Sequence, residues 1–187
     1  MPVVTVGEAN VGQSTAINYF VAVEHGLLGS NNLEAAQILS INEHMKEVFD
    51  AFHALVPYGS EPTEEALVKW FEQGATDTTG PADPSERSTR FLTWWLGRIE
   101  LTLGDKGFAV GNKLSLADMQ LYFTFADYLR EGETAPDFPQ WKKEPFGSKA
   151  RTDAILAKHP KLQACVDVVR NHPNVHKWLA RRGVQEF

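Results

Sequence analysis

Three observations predict a mainly α-helical fold that begins with a short β-β-α unit. Residues 3–6 form a β-branched run that ends at Gly7, which is typical of a strand. From Gln13 onward, apolar residues recur at the spacing of an amphipathic helix. Segments of this kind then follow one another to the end of the chain, separated by turns that contain Gly or Pro. We therefore expect two short strands followed by at least six helices.

The front unit is predicted in three steps. After the first strand, a turn at residues 7–10 leads to a second short strand near Val11. The hydrophobic period then changes to that of a helix, with Ser14 in a good position to act as its N-cap. Gly26 ends this helix.

The remaining helices follow from the apolar period and its interruptions. Residues 74–84 are rich in Gly, Thr, Asp and Pro and predict a flexible connection, and residues 131–148, which hold Trp141, predict a long irregular segment. The expected helices cover residues 33–56, 63–71, 85–104, 115–129, 151–171 with a break at Pro160, and 174–182.

Composition excludes several classes of protein. The chain has 187 residues, of which 22% are charged, and a net charge of −6, so it lacks the basic surface of a nucleic-acid binder. A single cysteine, Cys165, forbids an intramolecular disulfide. No apolar run is long enough to span a membrane, the first residues do not resemble a signal peptide, and the six histidines lack metal-ligand spacing. We expect a cytoplasmic protein without a metal site.

The most specific local signal is the pair Ser115 and Asp118 at the start of a very apolar helix. A Ser at the N-cap and an acidic residue three positions later can satisfy each other's backbone amides, which is a capping box. We interpret the pair as a structural cap worth on the order of 1 kcal/mol or more. A catalytic role for Asp118 is the alternative.

Several short motifs occur in one order along the chain. They are residues 1–6 (MPVVTV), 13–17 (QSTAI), 27–29 (LLG), 111–118 (GNKLSLAD), 159–162 (HPKL), 173–175 (PNV) and 178–182 (WLARR). Each motif alone is weak, but the ordered set resembles the soluble glutathione transferases and is closest in character to their sigma-like classes. The resemblance covers almost the whole chain.

The resemblance implies a fold, an activity and partners. Residues 1–27 would be the last β-β-α part of a thioredoxin-like glutathione-binding domain, and residues 32–187 the all-helical C-terminal domain. The family conjugates glutathione, its co-substrate, to hydrophobic electrophiles. A homodimer is implied as well.

The resemblance also implies glutathione contacts in the front unit. The peptide bond before Pro2 would be cis, which costs only about 0.5–1 kcal/mol before proline, and the Val3 backbone would then pair with the cysteinyl part of glutathione. Gln13 and Ser14, at a helix start, would hold the γ-glutamyl carboxylate. The alternative is a strand proline and a Ser cap with no ligand.

The long second helix supplies the other implied contacts. Glu47 would cross a dimer interface and bind the γ-glutamyl ammonium, or else be an ordinary solvated glutamate. Phe49, Phe52, His53 and Val56 would line a pocket for the hydrophobic substrate, although such an aromatic stripe is more often core.

One departure from the family concerns catalysis. The reactive species is the glutathione thiolate, which most classes of the family stabilise with an early Tyr or Ser hydroxyl. In some classes a Cys stands in place of that Tyr or Ser. No residue here matches that group, since Tyr19 lies inside a helix and Cys165 lies far along the chain. We therefore expect no catalytic residue, a truncated form, and no conjugation by these residues alone. Met1 is either the true start or an internal methionine of a longer protein.

Two other interpretations stay open. The chain could instead be a non-catalytic interaction module, like the related helical domains of translation and aminoacyl-tRNA synthetase complexes. A third possibility is that another chain supplies the missing β elements by domain swapping.

Overall fold

The computed structural model describes residues 2–74, 90–127 and 144–179. Within these ranges a two-stranded sheet precedes eight α-helices and one 3-10 turn. The elements are β1 (Val3–Val6), β2 (Ala9–Gly12), α1 (Ser14–Glu24), α2 (Asn32–Leu55), α3 (Glu64–Glu72), α4 (Leu92–Thr102), α5 (Leu116–Phe125), the 3-10 turn Pro145–Gly147, α6 (Lys149–Leu156), α7 (Pro160–Arg170) and α8 (Pro173–Leu179).

The front unit is a hairpin followed by one helix. β1 and β2 pair antiparallel, with Val3 opposite Gly12 and Val6 opposite Ala9. Both strands are largely exposed, and Ala22 is the one buried residue of α1. A polar link to the helical part follows α1, where the Leu116 amide donates to the carbonyl oxygen of Leu27 at 2.9 Å.

The core lies in the helices that follow. α5 is apolar on nearly every side and packs between α2 and α7. α2 faces α5 with a row of buried apolar side chains, and α7 contributes its own buried face. Burial of each Leu- or Ile-sized side chain in these contacts stabilises the fold by roughly 1.5–3 kcal/mol. The fully buried side chains of this contact include Ile38, Met45, Val48, Leu121, Phe125, Leu162, Cys165 and Val166.

Short polar contacts fix the helix ends and join the outer helices. The Asn31 side chain accepts from the Glu34 amide at the start of α2, and the Thr63 side chain accepts from the Ala66 amide at the start of α3. Between helices, Arg151 of α6 pairs with Glu64 of α3 at 2.6 Å.

Most predicted elements are confirmed, including β1, α2, α3 and the break before Pro160 that separates α6 from α7. Two are corrected at their starts. The second strand begins at Ala9 rather than near Val11. The N-cap of α1 is Gln13, not Ser14, because Gln13 has φ 68° and ψ 123° and its carbonyl oxygen already accepts from the Ile17 amide.

The continuous helix predicted for residues 85–104 is wrong at Phe91. That residue is extended, with φ −103° and ψ 174°, because its amide donates to the carbonyl oxygen of Gly74 instead of joining a helix. The helix after Ser115 ends at Phe125, earlier than predicted, since Ala126 leaves helical geometry. The predicted connection at 74–84, the irregular segment with Trp141 and the end of the last helix lie wholly or largely outside the described residues.

Candidate functional site

The first turn of α1 is exposed at its N-terminal end. This first turn holds no acidic residue. Gln13, Ser14 and Thr15 are all exposed. Unpaired amides together with the positive end of the helix dipole favour an anion at such a position.

One carboxylate reaches this helix start from α2. The Thr15 hydroxyl donates to Glu43 Oε1 at 3.1 Å, and the buried Asn42 amide group donates to the same oxygen at 3.4 Å. Glu47, the acidic residue inferred from the sequence, is exposed one helical turn further along. Glu43 was missed because its approach depends on how α1 crosses α2, which no local pattern encodes.

The two strand residues assigned to glutathione are accessible. Pro2 is exposed, and Val3 is 58% exposed on a strand that pairs on one side with β2. The peptide bond between Met1 and Pro2, for which the resemblance implies a cis geometry, involves a residue outside the described ranges.

The four residues assigned to a substrate pocket do not share one environment. Phe52 and Val56 are buried in the core, whereas Phe49 and His53 are half-buried. The His53 ring lies 3.6 Å from the exposed Tyr58 ring, and its Nδ1 is 3.1 Å from the Val56 carbonyl oxygen.

Phe146, which the sequence did not single out, lies against two of these residues. Its ring centroid is 5.3 Å from that of Phe52 and 6.0 Å from that of Phe49. Phe146 is 5% exposed and has φ 50° and ψ 30°, a left-handed conformation that costs a bulky residue on the order of 1–3 kcal/mol.

The predicted cap is confirmed, and it is part of the buried core. The Asp118 carboxylate accepts from the Ala109 amide at 2.7 Å, the Ser115 amide at 2.8 Å and the Ser115 hydroxyl at 2.7 Å. Burial raises the pKa of Asp118, and these hydrogen bonds partly offset that rise. Because every contact is internal, the arrangement supports a structural role.

Cys165 is an inert thiol beside this cap. Burial, followed by the charge and hydrogen bonding of Asp118, raises its pKa to about 12. A thiol with such a pKa is almost entirely protonated at neutral pH and is a poor nucleophile.

Within residues 2–74, 90–127 and 144–179, no three His, Cys, Asp or Glu side chains are grouped as metal ligands. No helix in those same ranges combines the length and apolar character needed to cross a bilayer.

Comparison with known proteins identifies relatives of the whole chain. The family model described as "Glutathione S-transferase, C-terminal domain" matches residues 63–182. The protein named "Putative glutathione S-transferase alpha-2" from Dictyostelium discoideum is 28% identical over 190 residues, covering 100% of this chain and 74% of that protein. S-crystallin 4 from Enteroctopus dofleini is 22% identical over 177 residues, covering 95% of this chain and 72% of that protein.

A solved structure supports the same fold. The monomeric glutathione S-transferase Na-GST-3 from Necator americanus superposes with a TM-score of 0.67 at 24% identity, covering 100% of this chain and 76% of that one.

Proposed function

Because the chain belongs to the family of the glutathione S-transferase C-terminal domain, we propose that it binds glutathione at the start of α1. The observation that carries this proposal is the exposed first turn of α1 at Ser14 and Thr15, which holds no acidic residue of its own and has the Glu43 carboxylate beside it. The γ-glutamyl end of glutathione carries a carboxylate and an ammonium group. The helix start suits the first group and an acidic side chain the second.

The remaining glutathione contacts are proposed on the family resemblance. The exposed β1 strand offers the Val3 backbone, after Pro2, to the cysteinyl part of the ligand, as a neighbouring strand would. In a homodimer, the partner's Glu47 would add a second carboxylate for the ammonium group. The exposure of this residue on α2 is compatible with such a contact.

The second substrate is proposed to be a hydrophobic electrophile. Phe49, Phe52 and His53 lie in the C-terminal half of α2, Val56 is the C-cap of that helix, and the apolar surfaces of these residues suit an aromatic molecule. In conjugation, the thiolate sulfur of glutathione forms a bond to the electrophilic carbon, and the leaving group departs with the electron pair of the broken bond.

Formation of the thiolate limits that reaction. A free thiol has a pKa near 8.5, so little thiolate exists at neutral pH unless a group stabilises it. No side chain of this sequence matches the family's activating hydroxyl. We therefore propose that these residues, in the cytoplasm, bind glutathione and an electrophile but conjugate an aryl halide no faster than the uncatalysed reaction.

A second candidate function is a non-catalytic interaction module. The observation that favours it is the exposed apolar surface of the front unit, where Val6, Tyr19 and Val23 are each 45–49% exposed. Such surface is typical of contact with another protein.

Glutathione titration followed by amide NMR tests the main proposal. The largest shifts are expected at the Ser14 and Thr15 amides. The dipeptide Cys-Gly, which lacks the γ-glutamyl group, is expected to leave those amides unchanged.

A variant sharpens this test. Ser14→Glu adds an acidic residue to the first turn, which stabilises a helix but repels a bound carboxylate. It is expected to weaken glutathione binding at least about tenfold without loss of thermal stability. Asn32→Glu, in the first turn of α2, is the matched control. Unchanged affinity in Ser14→Glu would show that the ligand carboxylate does not bind there.

A further inference from the structure

Phe146 inserts a single ring between three helices. It belongs to the 3-10 turn rather than to any of them, and it is 5% exposed. Its ring centroid lies within 6.5 Å of five aromatic rings, from α2, α3 and α5. They are Phe49 at 6.0 Å, Phe52 at 5.3 Å, Trp70 at 5.3 Å, Phe71 at 6.5 Å and Phe125 at 5.7 Å.

The backbone that carries this ring is held in an unfavourable conformation. Phe146 has φ 50°, and Gly147 after it has φ 71°. A bulky residue persists in the left-handed region only when its surroundings require it. The free energy gained by burying the Phe146 ring is therefore partly offset by backbone strain, and release of the ring removes that strain.

One of the rings that Phe146 contacts carries a polar atom without a partner in the described part of the chain. Trp70 is fully buried, and its Nε1 has no hydrogen-bond acceptor among the residues that the structure describes. The phenyl ring of Phe146 offers no lone pair to that donor. A buried donor without an acceptor costs free energy, so a ligand that brings an acceptor gains relative to Phe146.

We propose that Phe146 is an exchangeable occupant of an aromatic pocket between α2, α3 and α5. When its ring swings out, the pocket binds a flat aromatic molecule that carries one neutral hydrogen-bond acceptor for Trp70 Nε1. A carboxylate does not suit this position, since an unpaired charge among hydrocarbon side chains is costly to bury. An aryl halide that also carries a ketone or aldehyde group has the required chemistry, because the carbonyl oxygen is the acceptor and the halide is the leaving group that conjugation needs.

This inference rests on the proposed function, because Phe49 and Phe52 belong to the pocket proposed for the electrophile. It names the substrate class of that pocket and the residue that closes it. Binding of the aromatic molecule requires no glutathione, so the two proposals can fail separately.

Two probes of nearly equal shape test the inference on the full chain without glutathione. Acetophenone has a carbonyl acceptor, and α-methylstyrene replaces that oxygen with a methylene group. By NMR titration, acetophenone is expected to bind about threefold to tenfold more tightly, the range for one net hydrogen bond. Binding is expected to shift the ring resonances of Phe146.

Matched tryptophan variants locate the hydrogen bond. Trp70→Phe is expected to abolish the preference for acetophenone. Trp95→Phe removes another buried indole whose Nε1 also lacks a partner in the described part of the chain, and it is expected to keep the preference. Equal affinity for the two probes in the unmodified chain, or a preference that survives in Trp70→Phe, overturns the proposal.

A third variant tests whether the Phe146 ring occupies the pocket in the absence of a ligand. Phe146→Ala is expected to raise the affinity for both probes at least about tenfold. Phe71→Ala, which removes a ring from the same cluster without touching the strained turn, is expected to raise it less. If Phe146→Ala does not fold, the comparison of Trp70→Phe with Trp95→Phe still tests the proposal. Probe preference without glutathione binding refutes only the glutathione site, and glutathione binding without probe preference refutes only this pocket.

Discussion

The front unit and the helical part of this chain differ in how their side chains are buried. Across β1, β2 and α1, Ala22 alone is buried, and Val3, Val6 and Tyr19 are 45–58% exposed. In the helical part, by contrast, α5 buries six of its ten residues, including Asp118. Apolar burial is the main source of folding free energy, so the helical part supplies nearly all the stability of the described structure.

The difference separates stability from the proposed function. The proposed glutathione contacts lie on the weakly buried front unit, which meets the helical part through contacts such as the hydrogen bond from Thr15 to Glu43. Elements with few buried contacts open at low free energy. Changes in the helical core should therefore alter stability strongly, and changes in the front unit should alter binding.

The largest expected effect is at Asp118. Asp118→Ala removes the acceptor of three donors, from Ala109 and Ser115, inside the core. We expect the free energy of unfolding to fall by about 3–5 kcal/mol in urea denaturation. Asp153→Ala, which breaks a pair with Lys149 on the surface of α6, is the control and should cost about 1 kcal/mol or less. Equal costs would contradict the structural role of Asp118.

A smaller effect is expected from the titration of Cys165. Its pKa is raised from 9.0 to about 12 in the folded chain, so above pH 9 the unfolded chain loses this proton first. Stability from this group is complete below pH 9 and falls as pH rises toward 12, by about 1.4 kcal/mol per unit. Between pH 8 and pH 10.5 the unmodified chain should lose about 2 kcal/mol more than Cys165→Ala. Parallel pH profiles would contradict the raised pKa.

Glu100 is expected to contribute somewhat less to the free energy of unfolding than the two preceding residues. Its carboxylate accepts from the Lys161 amide at 2.8 Å and the Leu162 amide at 3.0 Å, and so caps α7 from α4. Glu100→Ala should lower the free energy of unfolding by about 1–2 kcal/mol, as the loss of a good N-cap does. Glu72→Ala, at the exposed end of α3, is the comparison and should stay within about 0.5 kcal/mol.

The smallest effect is expected in the front unit. Val3 and Val6 are 58% and 45% exposed, so replacing both with Thr removes little buried apolar surface and keeps β-branched side chains in the strand. The free energy of unfolding should change by no more than about 0.5 kcal/mol. A loss comparable with that of Asp118→Ala would show that the front unit is an integral part of the core.

Features encoded by neighbouring residues were predictable from the sequence. The cap of α5 depends on Ser115 and Asp118 three positions apart, and the break between α6 and α7 depends on Pro160. The helix start at Leu92 was not predictable, because Phe91 is held extended by Gly74, which is distant in sequence.

The candidate sites show the same division. The start of a helix close to Ser14 follows from local pattern, although its N-cap does not, and the approach of Glu43 depends on the crossing of two helices. The insertion of Phe146 among rings from three helices likewise arises from tertiary packing, which no sequence period reports.

Native-state amide hydrogen exchange, with and without glutathione, tests the separation of stability from binding most directly. Without ligand, the amides of α5 and α7 should exchange only through global unfolding, and those of β1, β2 and α1 should exchange much faster. Saturating glutathione should slow exchange at Ser14 and Thr15 and leave α5 and α7 at their global rate apart from a uniform shift. Equal protection of both regions without ligand, or added glutathione that leaves the start of α1 unprotected, would contradict the account.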